Sequence, residues 1–171
     1  MIVKRLGGNM ADIHNPNARS KNMRAIRSSG TSIENKVQEI IESLGIKYRK
    51  QVSSLPGKPD FVIDDYQAIL FVHGCFWHGH NCHVSNIPMT RTDYWLNKIN
   101  KNINRDYMVM DLLSNLGWKI LILWECALRG RKKISDKEIS ERIEEWLCED
   151  HLHAEVDMNG ISRIVLNHPT Q

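Results

Sequence analysis

The sequence predicts an α/β domain in which helices flank a small mixed central β-sheet. Amphipathic helical segments alternate with short apolar runs, in the order helix, hairpin, helix, strand, helix. In addition, the run Lys119–Trp124 (KILILW) is almost entirely apolar, as expected for a strand that is buried on both faces. With 171 residues, of which 42% are hydrophobic and 25% charged, the chain is long enough to enclose a core of its own.

The first core helix is predicted from Thr31-Ser-Ile-Glu34, a capping-box sequence that precedes apolar residues at helical spacing. Gly45 is expected to end this helix, because glycine adopts the left-handed conformation that follows many helices. Lys47–Val52 is predicted as a strand. Asp60–Ile63 and Ala68–Val72 are two apolar runs separated by only four residues, which predicts a β-hairpin.

The second half of the chain predicts two longer helices around the central strand. Thr92–Leu116 carries apolar residues at helical spacing, and Gly117 is expected to end it. Lys119–Trp124 follows as the buried strand. Ser135–Cys148 is predicted as an acidic amphipathic helix, with Cys148 as a small core residue.

Charge is unevenly distributed along the chain. Residues 1–33 contain six lysines and arginines against one acid, although the net charge of the whole chain is only +3. We predict a flexible segment at residues 1–18, a single domain at residues 19–150 that begins with a basic helix at residues 19–28, and a C-terminal tail at residues 151–171. A basic arm on a nearly neutral body favours a polyanionic partner such as nucleic acid, although a solvated terminus would have the same composition.

Several classes of protein are disfavoured. No apolar run approaches the roughly 20 residues that span a bilayer, so no membrane association is expected. The N-terminal residues lack the apolar region of a secretory signal, which predicts a cytoplasmic protein in which cysteines bind metal rather than form disulfides. No self-complementary apolar face is evident, so we expect a monomer.

The segment His73–His83 (HGCFWHGHNCH) is the most informative part of the chain. It concentrates thiol and imidazole groups, which are the ligands that zinc prefers. Cys126 follows a strand that would run beside Ala68–Val72, so the sheet would bring it to this segment. We predict a closed, structural zinc site rather than unrelated buried cysteines and exposed histidines. The predicted ligands are Cys75, His80, Cys82 and Cys126, with His83 and His78 as alternatives for the fourth position.

A second group of residues suggests hydrolytic chemistry. Asp60 begins a predicted strand, and a carboxylate there, close to main-chain carbonyls, is a common Mg²⁺ site in nucleases. An aspartate that caps a turn after proline would look the same, and residues 70–73 lack the acid-x-Lys pattern of many nucleases. His78 is available as a base if zinc takes His80, and Asp106 lies off the apolar stripe of its helix, where it could orient His78. Glu34 is a further candidate, although its capping-box position is itself a sufficient reason for a glutamate.

Five motifs resemble one family of enzymes. They occur in the expected order and nearly without gaps over residues 10–150, and the family is that of the very-short-patch-repair (Vsr) DNA mismatch endonucleases. The motifs are RSKNMRAI at residues 19–26, SLPGKPDF at 54–61, HGCFWH at 73–78, WLNKI at 95–99, and GW at 117–118 continued by WECALRGR at 124–131.

The resemblance implies a restriction-endonuclease-like core and an enzyme that nicks one DNA strand beside a T:G mismatch made by deamination of 5-methylcytosine. It implies a structural Zn²⁺ on the four residues named above and a catalytic Mg²⁺ at the scissile phosphate. The magnesium would be held by Asp60 and by the main-chain carbonyl of Val72, where the family pattern has threonine. His78 would be the catalytic histidine with Asp106 as its partner, and Glu34 would be a further acidic participant.

The resemblance also implies how DNA is bound. The aromatic side chains would wedge into the base stack from the major groove, and the basic helix would approach from the minor groove. A bacterial enzyme that associates with the nucleoid when bound, and that works with mismatch-repair helper proteins, is the corresponding expectation. The implied DNA-binding residues are Phe76, Trp77 and Trp95 in the major groove, Met23 and Ile26 in the minor groove, and Arg19, Lys21 and Arg24 on the basic helix.

Three other classes of protein share some of these features. A zinc-containing DNA-binding module without catalysis would use the same arm, loop and aromatic residues. An HNH nuclease is disfavoured because Pro88 follows the Cys/His segment where that fold has a short helix. A zinc deaminase is excluded, since the chain lacks an H-x-E motif combined with a P-C-x-x-C motif.

Overall fold

A six-stranded mixed sheet forms the centre of the fold. The computed structural model describes residues 31–149 and 153–166, so the predicted segment at residues 1–18 and the basic helix at 19–28 lie outside the described residues. Spatial order follows chain order, and β3 pairs in parallel with β4 and β4 with β5, while the other pairs are antiparallel. The strands are β1 (Arg49–Lys50), β2 (Phe61–Ile63), β3 (Ala68–His73), β4 (Lys119–Trp124), β5 (His153–Asp157) and β6 (Gly160–Ile164).

Helices cover both faces of this sheet. The predicted mixed sheet flanked by helices is thereby confirmed, and the predicted helix boundaries agree with the structure to within one or two residues. No helix in the described part of the chain combines the length and the hydropathy that a bilayer crossing requires. The helices are α1 (Ser32–Ser43), α2 (Thr92–Asn115), α3 (Glu125–Leu128) and α4 (Asp136–Cys148), with a 3₁₀ turn at Asp64–Tyr66.

Strand β4 contributes side chains to both layers of the core. Alternate side chains of a strand point to opposite faces, so the apolar run contributes to two layers at once. Leu121 and Leu123 pack with α1 and α4, in a layer that includes Val37 and Trp146. On the other face, Ile120, Ile122 and Trp124 pack with Met110 and Leu113 of α2.

The strand prediction at Lys47–Val52 is too long. Only Arg49 and Lys50 pair with β2, because the chain turns at Gln51, whose φ angle is 50°. The N–H of Gln51 donates to the carbonyl oxygen of Asp60 (3.2 Å) and closes the ladder there. This early turn leaves the Gln51 side chain free to face Asp60 instead of continuing the strand.

Two predictions for the C-terminal part are wrong. The sequence predicts a tail at residues 151–171, but residues 153–166 form the β5–β6 hairpin of the central sheet. Ala154 and Val156 are buried against the core, while the residues between them are polar, and so short an alternation is a weak signal in the sequence. Cys148 is exposed at the end of α4 rather than buried.

The turn that precedes Asp60 is fixed against α2 by a glycine. Gly57 has a φ angle of 72°, and a Cβ atom placed there would lie 2.4 Å from a methyl carbon of Val109. Only glycine combines this backbone conformation with this approach. The turn and helix α2 are therefore held together where the chain enters β2.

We predict that Gly57→Ala lowers the free energy of unfolding by about 2–3 kcal/mol, through the left-handed backbone and the steric overlap together. In a double-mutant cycle with Val109→Ala, measured by urea denaturation, the steric part should appear as a favourable coupling of about 1 kcal/mol. A coupling near zero would show that the side chain of Val109 does not constrain the turn.

Candidate active site and metal centre

Parallel pairing brings two chain segments to one edge of the sheet. His73 and Trp124, the last residues of β3 and β4, are register partners. The chain leaves β3 into the Cys/His segment and leaves β4 into α3, which carries Cys126. The sequence-predicted cluster is thereby assembled, with one candidate ligand atom from each residue lying within 4.8 Å of the others. Its members are Cys75, His80, Cys82 and Cys126.

Local hydrogen bonds shape the segment around this cluster. The main-chain N–H of His80 donates to the carbonyl oxygen of Cys75 (3.0 Å), and that of Cys82 donates to the carbonyl oxygen of His80 (3.0 Å). The N–H of Cys75 donates to the buried carboxylate of Glu125 (3.0 Å), which also pairs with Arg129. Sequence analysis did not identify Glu125, whose role depends on a contact fifty residues away along the chain.

The chemistry of the cluster suits a soft, tetrahedral cation. Three sulfur atoms and one imidazole nitrogen form a complete four-coordinate set with no open position. Burial raises the pKa of the Cys75 and Cys126 thiols above the usual value, so a bound cation is needed to keep these sulfurs as thiolates at neutral pH. The alternative ligands lie outside the cluster: His78 pairs with Asp106, and His83 contacts the sulfur of Met158.

The second site lies at the beginning of β2. One carboxylate oxygen of Asp60 accepts a hydrogen bond from the N–H of Val72 (2.8 Å), and the other accepts one from the side-chain amide of Gln51 (2.9 Å). Burial raises the pKa of Asp60 to about 6, and the charge of Glu34 acts in the same direction. The hydrogen bond from Val72 lowers the pKa most strongly. The hydrogen bond from Gln51 and the charge of His78 lower it to a smaller extent.

The candidate catalytic residues therefore come from separate elements. Asp60 immediately precedes β2, and its charge is influenced by Glu34 from the first turn of α1 and by His78 from the Cys/His segment. Glu34 is only 6% exposed, although it lies in a helical turn that would ordinarily face solvent. Sequence analysis did not find Gln51, because nothing in the chain indicates that the strand stops at that residue.

His78 is paired with Asp106. The Nδ1 atom of His78 lies 2.5 Å from a carboxylate oxygen of Asp106, on helix α2. Burial would raise the pKa of Asp106, but the hydrogen bond from His78 and the nearby charges lower it below the usual value, so the aspartate is ionised and accepts the proton of Nδ1. The remaining nitrogen, Nε2, then carries the lone pair of a neutral imidazole. The pair borders a cavity of about 300 Å³.

His73 supports this imidazole from one side. Its ring is stacked on that of His78, with a centroid distance of 3.8 Å and an interplanar angle of 8°. Burial, assisted by the charge of His78, lowers the pKa of His73 to about 3, so His73 is neutral at physiological pH. A neutral, buried ring therefore holds the plane of His78 without competing for its proton. Sequence analysis did not assign a role to His73.

The three predicted aromatic residues form one partly exposed cluster. The ring centroids of Phe76, Trp77 and Trp95 lie 5.0–6.1 Å apart in edge-to-face arrangements. The Lys98 amine lies 5.1 Å from the Trp77 ring centroid, and the side-chain amide of Asn102 donates to the Trp77 carbonyl oxygen (2.9 Å). Aromatic side chains in such a cluster present flat apolar surface to solvent beside a positive charge.

The predicted contacts on the basic helix lie outside the described residues. These are Arg19, Lys21, Met23, Arg24 and Ile26.

The chain is similar to several known proteins. Residues 11–84 match the family model described as DNA mismatch endonuclease Vsr. The chain is 49% identical over 152 residues to the DNA mismatch endonuclease Vsr of Escherichia coli K12, covering 89% of this chain and 97% of that protein. It is 40% identical over 122 residues to the type II nicking enzyme V.NmeAIP of Neisseria meningitidis, covering 71% and 87% of the two chains. It is also 40% identical over 119 residues to the type II nicking enzyme V.XorIIP of Xanthomonas oryzae pv. oryzae, covering 70% and 88%.

The electrostatics of Asp60 predict a gain in stability when its charge is removed. The pKa of Asp60 rises from 3.8 to about 6 on folding, so its ionisation disfavours the folded chain above about pH 6 but not below pH 4. We expect Asp60→Asn to raise the free energy of unfolding by about 1–2 kcal/mol at pH 7.5 in buffer without Mg²⁺. The gain should shrink towards pH 5, as measured by urea denaturation.

Asp65→Asn is the matched control, because Asp65 is an exposed aspartate in the 3₁₀ turn at the opposite end of β3. Its stability should change by less than about 0.5 kcal/mol at either pH. An Asp60→Asn variant that is less stable than the parent at pH 7.5 would contradict the electrostatic account.

Proposed function

Because the chain belongs to the Vsr family of DNA mismatch endonucleases, we propose that it is a Mg²⁺-dependent endonuclease that nicks one strand of duplex DNA beside a T:G mismatch. Such mismatches arise by deamination of 5-methylcytosine. The observation that carries the proposal is the chain of contacts at one edge of the sheet: Asp60 accepts a hydrogen bond from Val72, and the next residue, His73, is stacked on the His78 that pairs with Asp106. The hairpin and parallel strand that position these residues also support a restriction-endonuclease-like core.

Asp60 and Val72 are the residues that we assign to Mg²⁺. A carboxylate and a main-chain carbonyl are hard oxygen ligands of the type that Mg²⁺ prefers. The electrostatics support this fit. Burial and the negative charge of Glu34 both disfavour the ionised form of Asp60, and a divalent cation would stabilise it. A bound Mg²⁺ would supply charge stabilisation at the scissile phosphate. The carbonyl of Val72 is available whatever the side chain, so valine in place of the family threonine is compatible with the role.

His78 is assigned as the general base. Its Nδ1 proton is held by Asp106, so Nε2 can accept a proton from an attacking water molecule. The ionised Asp106 stabilises the imidazolium that results. The stacked ring of His73 keeps the plane of the base in place during this transfer. Glu34 contributes further negative charge close to Asp60.

DNA recognition is assigned to the aromatic cluster and to the basic N-terminal region. Inserting apolar rings between base pairs costs a few kcal/mol for each unstacked step, and a mismatched step is easier to open. Phe76 and Trp77 immediately precede His78 in the chain, and Trp95 on α2 clusters with them. A ring inserted at the mismatch would therefore bring the general base, His78, close to a neighbouring phosphate. Met23 and Ile26 are proposed to approach from the minor groove.

The Cys/His cluster is proposed to hold a structural Zn²⁺. Its four ligands leave no position for a substrate, and three of them come from the segment that also carries His78. Zinc would thus fix the position of the general base without taking part in hydrolysis. We propose a cytoplasmic monomer that associates with the nucleoid through DNA and cooperates with mismatch-repair helper proteins.

The proposed function predicts that Asp60→Asn and His78→Ala each lower the rate of nicking of a T:G duplex by about 10²–10⁴-fold while duplex binding persists. The assay compares T:G duplexes with matched T:A duplexes in several sequence contexts, with and without Mg²⁺. The control variants Asp65→Asn and His83→Ala change the same residue types at exposed positions and should nick at close to the parental rate.

Full activity of Asp60→Asn in Mg²⁺ would overturn the assignment of the site. Binding of T:G duplexes without strand breaks by the unmodified chain, in every context tested, would instead favour the zinc-containing DNA-binding module without catalysis.

The zinc assignment predicts about one zinc per chain in the purified protein, measured by inductively coupled plasma mass spectrometry. Cys126→Ser should lose most of this zinc and unfold at a lower temperature, because a closed site contributes directly to folding. Cys148→Ser removes an exposed cysteine that lies outside the cluster, so its zinc content and melting temperature should match those of the parent. Equal zinc in the Cys126→Ser variant would exclude Cys126 as a ligand.

A further inference from the structure

The turn of the C-terminal hairpin lies against the Cys/His cluster. Strand β5 runs parallel to β4, with Val156 opposite Leu123, so the residues that follow Val156 lie beside the residues that follow β4. These are the turn residues Asp157 and Met158 on one side and Cys126 on the other. A segment with no recognisable motif is thereby placed next to the candidate metal centre.

Asp157 contacts the imidazole of His80. A carboxylate oxygen of Asp157 lies 3.4 Å from Nε2 of His80, and both side chains are largely shielded from solvent. The other ring nitrogen, Nδ1, lies 3.7 Å from the sulfur of Cys126 and therefore faces the cluster. One edge of the ring is thus directed at the metal ligands and the other at a carboxylate.

This geometry determines which tautomer of His80 is favoured. Nδ1 can bind a cation only through its lone pair, so the proton of the neutral ring has to lie on Nε2. A carboxylate oxygen beside Nε2 favours the tautomer with the proton on that nitrogen and orients the ring, as carboxylate partners of metal-bound histidines do. The indole of Trp124 is stacked on the ring at a centroid distance of 4.3 Å and restricts its tilt.

The next residue of the turn, Met158, contacts another candidate ligand. The main-chain N–H of Met158 donates a hydrogen bond to the sulfur of Cys126. Asp157 itself is held in place by the main-chain N–H of Asn159, which donates to its other carboxylate oxygen (2.7 Å). Two adjacent residues of one turn therefore contact two different ligands of the cluster.

From these contacts we infer that the β5–β6 turn is part of the metal centre, with Asp157 as a positioning residue that orients His80 towards the cation. The inference rests on the metal site of the proposed function and extends it to the C-terminal hairpin. It assigns a role to Asp157, which sequence analysis placed in the C-terminal tail.

The test is the affinity of the full-length protein for Zn²⁺, measured by competition with a chromogenic chelator. Asp157→Asn retains an oxygen that can accept the bond from Asn159 but replaces the charge that faces Nε2. We expect its Zn²⁺ affinity to fall about 10–100-fold, the usual effect of losing such a partner. With Co²⁺ in place of Zn²⁺, the visible absorption spectrum should report a distorted site.

Two controls separate the carboxylate from the shape of the turn. Asp65→Asn makes the same chemical change in the 3₁₀ turn at the far end of β3 and should leave Zn²⁺ affinity unchanged. Gly160→Ala strains the hairpin turn, because Gly160 has a φ angle of 108°, and it keeps both Asp157 and Asn159. Its Zn²⁺ affinity should stay within about threefold of the parental value, since the carboxylate partner is retained.

The outcomes are distinguishable. Unchanged Zn²⁺ affinity in Asp157→Asn, or an equal loss in Gly160→Ala, would overturn the role of the carboxylate while leaving the zinc site intact. A parental protein that binds no zinc would overturn the metal site of the proposed function as well.

Discussion

The parallel pairing of β3 with β4 is the constraint on which the rest of the structure depends. Parallel strands carry the chain out of the sheet at the same edge, and here the two exits hold the Cys/His segment and Cys126. The register pairs Ala68 with Lys119 and His73 with Trp124, so the two strands begin and end level with each other. Burial of an apolar strand in two core layers thus determines the geometry of polar residues that lie beyond its end.

Two kinds of site share one short segment. His78 and His80 are only two residues apart in the chain. His78 pairs with Asp106, whereas His80 faces the thiols. Their environments differ in donor type, with sulfur and nitrogen on one side and carboxylate and carbonyl oxygens on the other, so each favours a different class of cation. The segment therefore separates the proposed zinc site from the proposed magnesium site by the hardness of their donor atoms rather than by distance.

The sequence predicted those features that depend on local pattern. Helical spacing located α1, α2 and α4, the continuous apolar run located β4, and the density of thiols and imidazoles located the candidate metal centre. Residues whose roles depend on distant contacts were missed, including Gln51 beside Asp60, Glu125 beneath the Cys/His segment and Asp157 beside His80. The C-terminal hairpin was missed for a related reason, since β5 is recognisable as a strand only when β4 offers it an edge to pair with.

The shared segment affects how inhibition by chelators should be interpreted. A reagent that extracts an ion bound by Cys75 and its partners would release the stretch of chain that carries His78 and Trp77, although the closed ligand set leaves that ion no open position for a substrate. Such a treatment would abolish turnover by loss of local order, and excess magnesium would not reverse it. Loss of activity in the presence of a general chelator is therefore ambiguous for this architecture, and reversal by each ion in turn is what reports its separate contribution.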